Sequence, residues 1–99
     1  MNTNKVKKII KTSASWCAPC RFYAPTFHKV SKYDEYKDIE FKEYDLDDEE
    51  GEKLALKYNI RSVPTTLLLD ENDEVIYKVM GNVPESELTK IIDEALKDR

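Results

Sequence analysis

Two cysteines three positions apart carry the most specific chemistry in this sequence. Cys17 and Cys20 are the only cysteines among its 99 residues, and they lie between a strand-like segment and a segment with helical spacing. Cys-x-x-Cys at a strand-to-helix junction is typical of a redox dithiol, because the N–H groups and dipole of the helix start favour a thiolate on the first cysteine. Cys17 is therefore the candidate nucleophile and Cys20 the candidate resolving thiol.

Three other interpretations of the cysteine pair stay open from the residues alone. A structural zinc site needs about four ligands, and the only other soft ligand is His28, which we interpret as a surface residue. Two inert buried cysteines are a second alternative. A permanent structural disulfide is a third, although so short a loop would constrain the unfolded chain little. Reversible dithiol–disulfide chemistry without a metal is the interpretation we favour.

Length and composition set the class of protein. Ninety-nine residues fit one domain over 1–99, and 40% hydrophobic with 36% charged residues predict a soluble globular chain. No apolar run approaches a membrane span and no signal-peptide core follows the first residues, so we expect a cytoplasmic protein without membrane association. In that compartment a cysteine pair is more often catalytic than structural. A net charge of −4 argues against nucleic-acid binding.

The hydrophobic pattern predicts the element order β-α-β-α-β-β-α. We expect strands over 6–12, 39–46, 65–69 and 75–80, and helices over 20–36, 50–58 and from about Pro84 onward. The last two strands should form an antiparallel hairpin. One face of the first helix should carry Phe22, Tyr23, Phe27, Val30 and Tyr33. Pro25 should bend that helix, because proline has no N–H to donate.

The stretch Trp16-Cys17-Ala18-Pro19-Cys20 resembles the active site of thioredoxins, in which glycine is usual at the position of Ala18. Pro25 falls where that family has a helix-kinking proline, and Val63-Pro64-Thr65 resembles its cis-proline loop. The resemblance runs from about residue 6 to the C-terminus. It implies a thioredoxin-like α/β fold with a central four-stranded mixed sheet flanked by helices. Ordinary thioredoxins carry a further strand and helix before these elements, for which this sequence leaves about five residues.

The resemblance also implies a sheet order and an activity. The first strand should lie between the second and third, with the second and fourth at the edges. The activity should be that of a protein disulfide reductase, an enzyme in which an exposed Cys17 attacks a substrate disulfide and a shielded Cys20 releases the product. Such a protein needs no bound cofactor and is re-reduced by a thioredoxin reductase or another thiol donor. We expect a monomer.

A substrate surface is implied around the two cysteines. Its residues are Trp16, Ala18, Pro19, Val63, Pro64 and Gly81, with Asn82 beside them. In the family the backbone before the cis-proline pairs with the substrate like an added strand. Such pairing is largely independent of sequence and implies broad substrate choice.

The sequence departs from the family at two charged positions. Thioredoxins place a buried aspartate five residues before the motif tryptophan and a lysine on the neighbouring strand, whereas this chain has Lys11 and Glu43. An ammonium group would favour a thiolate and so stabilise the reduced form, making the protein a weaker reductant. The alternative is that Lys11 extends to solvent and has no effect.

Two further functions remain as alternatives. The dithiol could act in the opposite direction, as an oxidant or isomerase with a raised reduction potential. The fold could also serve as a non-catalytic docking module.

Overall fold

The computed structural model describes residues 6–97. Strands and helices follow each other in the predicted order, with a short 3-10 turn after the first helix. The elements are β1 (Lys8–Ser13), α1 (Ala18–Ser31), the 3-10 turn (Asp34–Tyr36), β2 (Glu40–Asp45), α2 (Glu49–Tyr58), β3 (Thr65–Leu69), β4 (Val75–Met80) and α3 (Glu85–Leu96). The predicted bounds of β3 and β4 are confirmed.

The predicted extent of the first helix is wrong at both ends. The helix begins at Ala18 because Pro19 fits its first turn, where a missing N–H costs no hydrogen bond. It ends at Ser31 because Tyr33 takes an extended backbone conformation before the 3-10 turn. This break lets the rings of Tyr33 and Tyr36 stack at a centroid distance of 6.1 Å beside the core. The helix is continuous over Pro25, and the predicted bend stays a prediction.

The four strands form one mixed sheet in the order β2-β1-β3-β4. β1 runs parallel to β2 and antiparallel to β3, and β3 and β4 form the antiparallel hairpin. The predicted arrangement is therefore confirmed, with β1 and β3 in the centre. The loops after β1 and before β3 consequently lie next to each other.

Each face of the sheet carries its own core. One core, under α1 and α3, includes Ile9, Phe27, Leu68, Leu88 and Ile92. The other core, on the opposite face, includes Ile10, Ile60, Leu67 and Leu69, with side chains of α2 packed against it. All five residues of β3 are buried, which is why this strand is a continuous apolar run with two threonines.

The start of α2 packs tightly on the end of β2. The Asp48 side chain caps the helix by accepting the N–H of Gly51 at 2.9 Å. A Cβ atom on Gly51 would lie 1.9 Å from the carbonyl oxygen of Asp45, so only glycine fits there. This close approach fixes the loop from Asp45 to Asp48, which borders the site described below.

Within residues 6–97, none of the helices has the length and apolar character needed to cross a membrane.

Candidate active site

The two cysteines form a disulfide at the start of α1. Their Cα atoms are 5.3 Å apart. Cys17 is the N-cap of the helix, and the backbone N–H of Cys20 donates to Cys17 Sγ at 3.1 Å. After reduction, the same N–H and the helix dipole favour a thiolate on Cys17 over one on Cys20. The local geometry is therefore that of a redox-active pair in its oxidised state.

Both cysteines are buried, Cys17 at 4% and Cys20 at 3% exposure. The expectation of an exposed Cys17 beside a shielded Cys20 is wrong for this oxidised form. Ala14 and Val63 pack against the disulfide, and the Val63 carbonyl oxygen lies 3.7 Å from Cys17 Sγ. In this oxidised form only a small part of either cysteine side chain is exposed to solvent.

The loop opposite the disulfide contains the predicted cis peptide bond between Val63 and Pro64. Pro64 is buried, and its carbonyl oxygen accepts the N–H of Gly81 at 2.8 Å. Gly81 has a φ of 96°, a backbone conformation that favours glycine. The structure thus joins Gly81 to Pro64 by a hydrogen bond and places Val63, the residue before Pro64, against the disulfide.

Exposed apolar side chains surround the helix start. Trp16 is 71% exposed, and Ala18 and Pro19 are exposed beside it. The prediction that Phe22 shares one apolar helix face with Tyr23, Phe27 and Val30 is wrong, because Phe22 is 72% exposed while the other three are buried. The buried residues of α1 recur every three or four positions along one helix face; they are Cys20, Tyr23, Phe27 and Val30. Phe22 does not fit this spacing, so the spacing could have predicted that Phe22 is exposed.

The segment that presents Trp16 is fixed by hydrogen bonds to Asp47. The Oγ and backbone N–H of Ser15 donate to Asp47 Oδ2 at 2.9 and 3.2 Å. Arg21 donates to the Ser15 carbonyl oxygen at 3.1 Å. The Ser15 hydrogen bonds, with a smaller contribution from Trp16, hold the pKa of Asp47 below its usual range. Asp47 was not predicted as a site residue. It lies just past the end of β2, and the parallel strands β1 and β2 end at the same edge of the sheet, so this position could have been placed next to the end of β1.

Lys11 and Glu43 occupy paired positions on β1 and β2. The Lys11 Nζ lies 3.7 Å from Glu43 Oε1 and 5.8 Å from the centre of the Phe27 ring. Lys11 is 2% exposed, so the alternative in which it extends to solvent is wrong. A lysine is therefore buried on the sheet face that α1 covers, with Glu43 at 39% exposure as its partner.

His28 joins this pair from α1. Its Nε2 contacts the second carboxylate oxygen of Glu43. The side chain of His28 is 57% exposed, so its interpretation as a surface residue is confirmed. Its contact with Glu43 was not predicted, because no local pattern relates residues on α1 and β2 that are fifteen positions apart.

The fold and the site together define a class of protein: a thioredoxin-like domain with a dithiol at the start of a helix and a cis-proline loop beside it. The chain belongs to the thioredoxin family, since the family model described as Thioredoxin matches residues 1–94.

Individual relatives agree with this placement. The chain is 39% identical to Thioredoxin H5 of Oryza sativa subsp. japonica over 74 residues, covering 75% of this chain and 52% of that protein. It is 33% identical to a thioredoxin of Staphylococcus epidermidis, covering 90% and 82% of the two chains. The structure of Malassezia sympodialis thioredoxin superposes with a TM-score of 0.79 at 29% identity, covering 95% and 77%. The chain spans about half the length of the rice relative.

Proposed function

We propose that this chain reduces protein disulfides through Cys17 and Cys20. The observation that carries the proposal is the disulfide at the N-terminus of α1, beside the cis-Pro64 loop. A sulfur at this position is activated by helix N–H groups, and its partner thiol is close enough to bond with it. Membership of the thioredoxin family supports the same chemistry.

The reaction transfers two electrons from the dithiol to the substrate. The Cys17 thiolate attacks a substrate disulfide, whose S–S bond breaks while a mixed disulfide forms, and the first substrate sulfur leaves and takes a proton. Cys20 then loses its proton and attacks Cys17 Sγ. This step breaks the mixed disulfide, closes the Cys17–Cys20 bond and releases the second substrate sulfur as a thiol. The hydrogen bond from the Cys20 N–H to Cys17 Sγ stabilises the attacking thiolate.

Substrate contacts come from both sides of the disulfide. We propose that Trp16, Ala18 and Pro19 supply an apolar surface on the helix side. On the loop side, Val63, Pro64 and Gly81 supply backbone that pairs with an extended substrate segment. The half-buried Val63 already contacts Cys17 Sγ, so a chain paired with it would hold its sulfur near the reacting atom. Main-chain pairing is tolerant of sequence and favours many protein substrates.

Lys11 and Glu43 modulate the thiol pKa values in this proposal. A buried ammonium near the dithiol stabilises the thiolate and hence the reduced form, and Glu43 offsets part of that effect. The protein would then be a weaker reductant than relatives with an aspartate at this position. The same observation favours a second function, that of a dithiol oxidant or isomerase. Equilibration with glutathione separates the two, because an oxidant requires a clearly higher potential.

We also propose a cellular context. The oxidised pair must be reduced again for each turnover, by a thioredoxin reductase or another thiol donor. A reducing compartment such as the cytoplasm supports that cycle. We expect a monomer, which size-exclusion chromatography coupled to light scattering measures.

Turnover of a protein disulfide tests the proposal. The wild-type chain, with dithiothreitol as electron donor, should reduce the interchain disulfides of insulin faster than dithiothreitol alone. Cys17→Ser should lose this acceleration, because it lacks the attacking sulfur. If Cys17→Ser matches the wild type, or the wild type gives no acceleration, the reductase proposal is wrong. Binding of a partner that survives in Cys17→Ser would then favour the docking module.

A further inference from the structure

A buried hydrogen bond connects the helix that carries the cysteines to the strand that follows the cis-proline. The hydroxyl of Tyr23 on α1 lies 2.8 Å from the hydroxyl of Thr66 on β3. Both side chains are completely buried. Among residues 6–97 this is the one side-chain hydrogen bond between α1 and β3. The two hydroxyls bond to each other, so their role differs from that of the reacting sulfur atoms.

The positions of the two residues relate the bond to the site. Tyr23 follows Cys20 by three residues, one helical turn, and Thr66 follows Pro64 by two. Thr66 is also paired with Lys11 in the centre of the sheet, which makes it a rigid anchor. The hydrogen bond therefore fixes the distance between the segment that carries Cys20 and the loop that contacts Cys17.

The helix needs such an anchor because of Pro25. Proline has no N–H, so the carbonyl of Arg21 receives no hydrogen bond from the residue four positions later. The first turns of α1 are consequently less firmly joined to the rest of the helix. Tyr23 lies within these turns, and its side chain connects them to the sheet.

We infer that Tyr23 and Thr66 are positioning residues, which hold the dithiol against the cis-Pro64 loop through their hydrogen bond. The inference rests on the proposed reductase function. Disulfide exchange requires the attacking sulfur to lie close to, and in line with, the bond that breaks. A misplacement of about 1 Å in a reacting pair can lower a rate by as much as ~100-fold. Closure of the Cys17–Cys20 disulfide also depends on the effective concentration of one thiol at the other. This effective concentration falls when either thiol becomes more mobile.

A double variant and a control variant separate an effect on positioning from an effect on the stability of the fold. Tyr23→Phe or Thr66→Val alone leaves one hydroxyl buried without a partner, which is destabilising. The double variant Tyr23→Phe/Thr66→Val removes both hydroxyls, so its free energy of unfolding should stay close to that of the wild type. Tyr36→Phe is the control: it makes the same chemical change at a buried tyrosine, whose hydroxyl donates to Asp93 at 2.7 Å far from the disulfide.

We measure kcat/KM for insulin reduction and the equilibrium of the Cys17–Cys20 pair with glutathione. The double variant should lose about tenfold in kcat/KM and shift the equilibrium toward the dithiol by about threefold. Thr66→Ser, which keeps the hydroxyl, and Tyr36→Phe should match the wild type in both measurements. If the double variant does not fold, the two single variants, confirmed as folded by circular dichroism, carry the comparison.

Two results would overturn the inference. One is a double variant that retains the wild-type rate and equilibrium. The other is a Tyr36→Phe control that loses as much as the double variant. Failure of the proposed function is distinguishable, because a wild type that reduces no protein disulfide still gives a glutathione equilibrium in which the effect of the double variant is measured.

Discussion

The ammonium group of Lys11 lies 3.7 Å from a carboxylate oxygen of Glu43, on the sheet face that α1 covers. The lysine is buried and its partner is partly exposed, so the positive charge is less well hydrated than the negative one. We propose that this cation acts on the dithiol carried by α1 through a medium of reduced dielectric constant.

Lys11→Met should move the Cys17 thiolate titration to higher pH, because the variant removes a charge that favours the ionised sulfur. A unit charge ~8 Å from a thiol at an effective dielectric constant of ~20 contributes about 2 kcal/mol, and Glu43 cancels part of this. Thiolate absorbance measured against pH in the reduced protein gives the result. Lys42→Met is the control, because Lys42 lies on the opposite sheet face, over the Tyr44 ring. Superimposable titrations of Lys11→Met and the wild type would remove Lys11 from the mechanism.

Gly51→Ala should destabilise the fold by about 1–3 kcal/mol, the usual cost of an overpacked position. The new Cβ would lie 1.9 Å from the Asp45 carbonyl oxygen, so either α2 or the end of β2 must move. Denaturation in urea measures the free energy of unfolding. Glu52→Ala, one residue further along α2 and exposed, should change it by less than about 0.5 kcal/mol. Equal stability of Gly51→Ala and the control would contradict the close packing.

Lowering the pH should break the hydrogen bonds between Ser15 and Asp47 that hold the loop carrying Trp16. The hydrogen bonds from Ser15 lower the pKa of Asp47 from its ordinary value of 3.8, so the bonded carboxylate stabilises the fold above that pH. This contribution is lost as pH falls through the lower pKa of the folded state. Trp16 is the only tryptophan of the chain, and its fluorescence should therefore change with a midpoint below 3.8.

Asp47→Asn provides the comparison for this acid transition. An amide cannot titrate in that range, so the fluorescence change should be absent while the protein stays folded. A transition that is identical in Asp47→Asn and the wild type would show that another group controls the loop.

The sequence predicted those parts of the fold that depend on local patterns. β3 and β4 were predicted at their observed bounds, because five consecutive apolar or threonine residues and a turn after Leu69 leave few alternatives. The cis bond before Pro64 depended on the family resemblance, since most bonds before proline are trans. The extent of α1 was not predictable from periodicity, because the apolar spacing continues to Tyr36 although the backbone changes at Tyr33.

Contacts between distant residues account for what the sequence did not predict in the site. Thr66 contacts Tyr23 across forty-three positions, and Asp47 contacts Ser15 across thirty-two. Such pairs depend on the strand order and register rather than on neighbouring residues. The burial of Cys17 was missed for a similar reason, because Val63 covers it from a loop forty-six residues away.

Trapping of the mixed disulfide in Cys20→Ser tests the role of Cys17 most directly. The reduced variant is incubated with oxidised insulin, and the disulfide-linked adduct is digested and mapped by mass spectrometry. A stable adduct on Cys17 is predicted, because without the Cys20 sulfur nothing resolves it. Cys17→Ser, which retains only Cys20, should form little adduct. No adduct in Cys20→Ser, or equal adduct in Cys17→Ser, would contradict Cys17 as the attacking sulfur.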